Sequence, residues 1–214
     1  MSNNTVIAAA PTAVRPRWST WGGGALLTGS LALLVATIVE YFVWQTTTLA
    51  TGIFVVFSIL LFANIALYLV AMFSLAFADG GIAGRSAIGR IGLILFGVGW
   101  AVQESIYWSG YFSDTLPSAL DVLSTVALIV TYVGVIAAAV IVALGRVVRG
   151  LARWALIVGF AIAAVCASVA NSQSDEMLST VLLSVSCVAQ GLVGLSYLRA
   201  RLNDAAPSAT APRA

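Results

Sequence analysis

Glu40 and Glu104 are the residues of this chain best placed to do chemistry, because each interrupts a long apolar run near its end. An ionised carboxylate in hydrocarbon is costly, so such acids face a cavity, pair, or bind something. Both precede a tryptophan by four residues, in Glu40-Tyr-Phe-Val-Trp44 and Glu104-Ser-Ile-Tyr-Trp108. Ala36 and Thr37 lie one turn before Glu40, and Gly97, Trp100 and Ala101 lie before Glu104. Those small or mildly polar flanks suit a helix face turned into a bundle. Two acids at matching depth, with Tyr107 and Trp108 above them, describe an outward-facing site for a cation, a proton or a small solute. Asp121 would stand at its mouth. The competing reading is positional. Both acids sit a turn or so from a helix end, about 6–8 Å at 1.5 Å per residue, where a side chain reaches headgroup water.

Other chemistries lack their residues. The chain has no histidine and no lysine, and its ten basic residues are all arginine. That removes imidazole metal sites, Ser-His triads, Ser-Lys dyads and lysine Schiff bases. Cys166 and Cys187 lie in separate apolar runs and imply neither a disulfide nor a metal framework. No basic stripe exists for a nucleic acid. The segment Asp79-Gly-Gly-Ile-Ala-Gly-Arg85 opens like the signature of CDP-alcohol phosphotransferases. However, Gly84 intervenes before Arg85, and no acid follows until Glu104, so that family's metal site cannot be assembled. The expectation is a protein without enzymatic activity or cofactor.

The elements that must position these residues follow from composition. Of 214 residues 61% are hydrophobic and 8% charged, with mean hydropathy +1.04. Soluble domains carry about 25% charged residues, so this chain cannot cover a globular surface and requires a bilayer. Apolar runs at about 24–44, 50–77, 88–107, 118–145, 151–170 and 177–198 each supply the roughly 20 residues that a helix needs to cross about 30 Å. The reading is an all-α integral membrane protein, a six-helix bundle over 23–199. Disordered cytoplasmic tails are expected at 1–22 and 200–214.

Charge orients that bundle. Arg15 and Arg17 precede the first span, Arg85 and Arg90 follow the second, and Arg146, Arg149 and Arg153 follow the fourth. Arg199, Arg201 and Arg213 follow the last, so six spans place all ten arginines on one side. The positive-inside rule then puts both termini in the cytoplasm, in the plasma (inner) membrane of a bacterium. Trp18, Trp21 and Trp154 mark the inner interface. Tyr41, Trp44, Tyr107, Trp108 and Tyr111 mark the outer one, as amphipathic rings do.

The remaining polar residues read first as structure. Pro117-Ser118-Ala-Leu-Asp121 resembles a capping box in which Ser118 is the N-cap, and Asp175 and Glu176 read likewise. Ser124, Thr125, Thr131 and Tyr132 give the fourth span a modest polar face. Asn64 and Gln190 should bond between helices. Span five carries a stripe of Ala155, Gly159, Ala163, Ala167 and Asn171; span six carries Thr180, Ser184, Cys187, Gly191 and Gly194. These two stripes are expected to mate, or one of them to make a homo-oligomer contact. The offset of 64 residues between the two Glu-x-x-x-Trp motifs lands next on Ser168, hinting at three two-helix units. The leading expectation is a non-catalytic accessory membrane protein that packs against a membrane-protein partner or a second copy. The alternative is a small transporter or channel with Glu40, Glu104 and Asp121 at its outer mouth.

Overall fold

The computed structural model describes residues 16–44, 52–112, 117–145, 147–148 and 150–200. Six long helices account for most of them: α1 (Gly24–Trp44), α2 (Gly52–Phe77), α3 (Ala87–Ser109), α4 (Ser118–Gly145), α5 (Ala152–Ala170) and α6 (Glu176–Arg199). All six are long and apolar enough to cross a membrane. Their ends fall within two residues of the bounds that hydropathy gives, because a helix satisfies its own backbone and an apolar run has no cheaper alternative in lipid.

Each helix packs on the next, and α6 returns to α1, closing a ring. The α4–α5 seam is the thinnest contact in it. Large apolar side chains point outward from every helix, among them Leu31, Ile59, Ile91, Ile136, Val165 and Leu192. An apolar surface of that extent suits hydrocarbon rather than water.

One end of the bundle holds Arg17, Arg85, Arg90, Arg153 and Arg199, and is called here the arginine end. Its arginines do more than carry charge. The Arg90 guanidinium donates to the Gly84 carbonyl at 2.6 and 2.9 Å and to that of Gly80 at 3.2 Å, pinning the α2–α3 turn. Arg153 donates to the Ala143 carbonyl in the last turn of α4, whose carbonyls have no helical partner. Asp79, at φ 47°, accepts the Arg17 backbone N–H at 2.5 Å. It therefore serves the chain entry rather than a metal.

The chain is ordered earlier than the sequence reading places it. Of the expected tail over 1–22, Arg17 onward is helical, and Trp18–Gly23 forms a π-helical turn leading into α1. Trp18 is fully buried, edge-on to Tyr197 at 6.3 Å, and is not an interfacial ring; Trp21 and Trp154 are exposed. The buried Ser19 hydroxyl reaches the carbonyls of Tyr197 (2.8 Å), Leu198 (3.1 Å) and Ala200 (3.3 Å), covering the open C-terminal turn of α6. The expected disorder of 1–15 and 201–214 lies outside the described residues.

Helix pairing also departs from expectation. A Cβ on Gly194 would lie 2.5 Å from the Leu27 nitrogen, and one on Gly23 would lie 2.5 Å from that of Leu198. The glycine stripe of α6 thus mates with α1 in direct backbone contact, and not with α5. Gly159 of α5 instead faces Val193 and Ala189 on another side of α6. Small residues announce that some helix comes close; they do not say which.

Around these contacts the arginine half is solid. Trp18, Leu26, Tyr68, Met72, Leu75 and Tyr197 are all fully buried within one cluster that draws on α1 to α6.

Candidate functional site

The opposite half of the ring encloses a cavity of about 290 Å³ lined from all six helices. Helical spacing explains the set. Leu33, Ala36, Thr37 and Glu40 recur every three or four residues and share one face of α1. Phe96, Trp100, Gln103, Glu104 and Tyr107 do the same on α3. The two acids singled out by the sequence therefore open into one space and interact electrostatically across it.

Their surroundings differ. Glu40 accepts hydrogen bonds from the phenol hydroxyls of Tyr107, near the end of α3, and Tyr111, in the 3-10 turn Gly110–Phe112 that follows it. Such bonds to a carboxylate are charge-assisted. Among the described residues no hydrogen-bond donor reaches the Glu104 carboxylate. Among the described residues no basic side chain lines the cavity, and the described arginines stand at the far end of the bundle. Its walls are mostly apolar, with Phe96 meeting Phe160 edge-on at 4.7 Å and Trp100 stacked on Tyr68 at 5.3 Å.

Toward the arginine end a hydrogen-bonded floor closes the cavity. The Tyr68 hydroxyl of α2 donates to the Gln190 carbonyl oxygen of α6 and lies 3.1 Å from the Ser30 hydroxyl of α1. The Gln190 amide donates in turn to Ser186 at 3.3 Å. Beside this chain, Asn64 donates to the Gly29 carbonyl at 2.9 Å and accepts from the Trp100 indole at 3.2 Å. Buried polar groups are tolerated when each finds a partner, and here the partners knit α1, α2, α3 and α6 together. The cavity is a blind chamber, with the solid cluster beyond its floor.

The sequence candidates separate accordingly. Glu40 and Glu104 meet in the chamber, but Asp121 does not join them: it is exposed in the first turn of α4 and does not line the cavity. It lies three residues after the start of α4 at Ser118, less than one turn of about 3.6 residues into the helix. Nor is Ser118 the N-cap there; α4 begins at Ser118, and the Pro117 carbonyl accepts the amides of Leu120 and Asp121. Asp175 does cap α6, accepting from the Leu178 amide at 3.0 Å. Asn64 and Gln190 bond between helices, whereas Ala163, Ala167 and Asn171 border the cavity instead of filling a helix seam. Gly191 lies near Ser30 and Leu27, beside the Gly194 contact with α1. On α4, Thr131 and Tyr132 reach the cavity; Ser124 donates to Gln103 at 3.2 Å and Thr125 bonds back to its own helix. Ser168, the third position of the suggested repeat, is exposed and outside the lining.

Five contributions were missed: Gln103 and Ser186 in the lining, Tyr68 in the floor, and the tyrosines Tyr107 and Tyr111 as donors to Glu40. The spacing of Gln103 from Trp100 and of Tyr107 from Glu104 was the available signal, since residues three apart share a helix face.

Among the described residues no group of three or more His, Cys, Asp or Glu side chains could hold a metal ion. The chain matches no protein-family model, no curated protein and no solved structure, so its site has to be read from its own chemistry.

Proposed function

We propose that this chain is a multi-pass protein of the bacterial plasma membrane, with cytoplasmic termini, that binds a small solute in the chamber from the outer side as a carrier does. The observation that carries this reading is the convergence of Glu40 and Glu104, from different helices, on one cavity of about 290 Å³. Acids at membrane depth are retained when they serve a site, and pockets for small ligands begin near about 300 Å³ with mostly apolar walls and a few polar groups. The closed floor argues for a carrier rather than an open pore, because release on the other side requires the Tyr68–Gln190 contact to part. The all-arginine end supplies the orientation through the positive-inside rule. Binding without covalent turnover fits side chains that offer carboxylates and hydroxyls but no activated nucleophile. The accessory reading keeps only the general apolar surface, which lipid contact already explains.

A thermal-stability screen of the purified protein against small solutes tests the proposal, with Ala167→Leu as the variant that fills the chamber. A ligand bound by the native state alone stabilises it by RT ln(1 + [L]/Kd), about 2.7 kcal/mol at a hundredfold excess over Kd. Stabilisation of the wild type that is lost in Ala167→Leu supports a solute site. A wild type that responds to no solute contradicts it. Orientation is tested separately with a single cysteine at position 113 in a Cys166→Ser/Cys187→Ser background. Labelling from the cytoplasmic side alone overturns it.

A further inference from the structure

Charge and walls together narrow what the chamber can hold. Among the described residues it offers two carboxylates and no basic group, so an anion would meet repulsion there. A neutral polar solute such as a sugar would strand most of its hydroxyls against Leu33, Phe96, Leu128, Val135 and Phe160. An inorganic cation that sheds its water needs a shell of oxygen ligands, about six for divalent ions. Here one of the two carboxylates is already engaged by the hydroxyls of Tyr107 and Tyr111, and the remaining wall is largely carbon.

We propose that the occupant is a single organic monocation, an ammonium group on a small apolar body, held by the otherwise unpartnered Glu104 with its body against Trp100, Phe96 and Phe160. The inference rests on the reading of the chamber as a solute site and adds its substrate class. Glu40, supplied with two phenol donors, has its charge met by the protein. Glu104 has no such donor among the described residues, and an unpaired carboxylate away from water is stable only with a proton or a counter-ion. An organic ammonium presents carbon as well as charge, which suits aromatic walls. One ammonium neutralises one carboxylate. Two would not fit a volume at the small end of the pocket range.

Isothermal titration of the full-length protein in detergent separates the possibilities. Choline and phenethylammonium are compared with their neutral counterparts, 3,3-dimethyl-1-butanol and 2-phenylethanol, and with sodium and potassium chloride. The expected result is binding of at least one cation, with its neutral counterpart at least about tenfold weaker and with a similar loss in Glu104→Gln. The comparison within the wild type needs no variant to fold, and the melting temperature of Glu104→Gln shows whether its loss is one of site or of fold. Neutral counterparts that bind as tightly as the cations overturn the charge assignment and leave the solute site standing. Displacement of choline and phenethylammonium by sodium or potassium at the same site overturns the organic class. Failure of every probe to bind overturns the substrate class, and the screen with Ala167→Leu then shows whether the solute site falls with it.

Discussion

The two halves of this bundle are built from the same apolar residues and treat polar groups in opposite ways. In the arginine half, polar side chains are spent on other helices: Ser19 on the end of α6, Asp79 on the entry to α1, Arg153 on the end of α4. Backbones touch at Gly23 and Gly194. In the other half the ring opens around about 290 Å³, and Glu104 faces that space with no donor from the described residues. Between them lies the Ser30–Tyr68–Gln190–Ser186 floor. In the first half the buried exceptions are the Trp18 indole nitrogen and the Tyr197 hydroxyl, which find no hydrogen-bond partner among the described residues; in the second, Glu104 is the acid whose charge the described residues do not meet.

The comparison is broken or sharpened most strongly by adding volume to each half. Gly194→Leu drives a side chain into the α1 backbone and should cost about 3 kcal/mol or more, since overpacking costs about 1–3 kcal/mol and this contact is to backbone. Ala167→Leu adds comparable bulk to the chamber and should change stability by less than about 0.5 kcal/mol. Monodispersity after graded heating in detergent reads both. Equal losses would mean that the chamber is packed as tightly as the base.

Next in size is Tyr68→Phe, which removes the hydroxyl shared by Ser30 and Gln190. A buried partner left without its bond costs about 1–3 kcal/mol, and interhelical bonds in membranes fall toward the lower end, about 0.6–2 kcal/mol. Denaturant titration in mixed micelles measures it; no change would mean that the floor is not closed by this contact.

The smallest effects distinguish the two acids. Glu40→Gln keeps an oxygen for Tyr107 and Tyr111 but loses the charge that strengthens those bonds, a cost of about 1 kcal/mol. Glu104→Gln loses no bond to the protein and should fall within about 0.5 kcal/mol of wild type. The same unfolding measurement ranks them, and a larger loss in Glu104→Gln would show that its carboxylate is already satisfied.

What could be read in advance, and what could not, follows from the nature of membrane helices. The number and bounds of the helices are plain because each apolar run is long and the arginines fall in the connections, the tails or the terminal turns of helices. Glu40 and Glu104 are legible as a pair because ionisable side chains are rare at their depth, so the two stand out against carbon. Faces are another matter. Lipid is as apolar as a protein core, so periodicity does not tell the lipid side of a helix from the buried side. Hence the glycines of α6 gave close approach without naming α1, and Ala163 and Ala167 read as packing residues while they border a cavity. Trp18 misled for a related reason: tryptophan suits an interface and a core equally, and only the π-helical turn carries it beneath Tyr197. Asp121 was placed by helix depth alone, and its exposure at the start of α4 shows that depth without facing is not enough.

The central claim is that the chamber opens to the side opposite the arginines. A single cysteine at Ala167 in the Cys166→Ser/Cys187→Ser background, probed with a membrane-impermeant thiol reagent, tests it most directly. The account predicts labelling in intact cells, where only the outer face is reached, and little labelling from the inner face in inverted vesicles. Labelling from the inner face alone, or from neither, would contradict it.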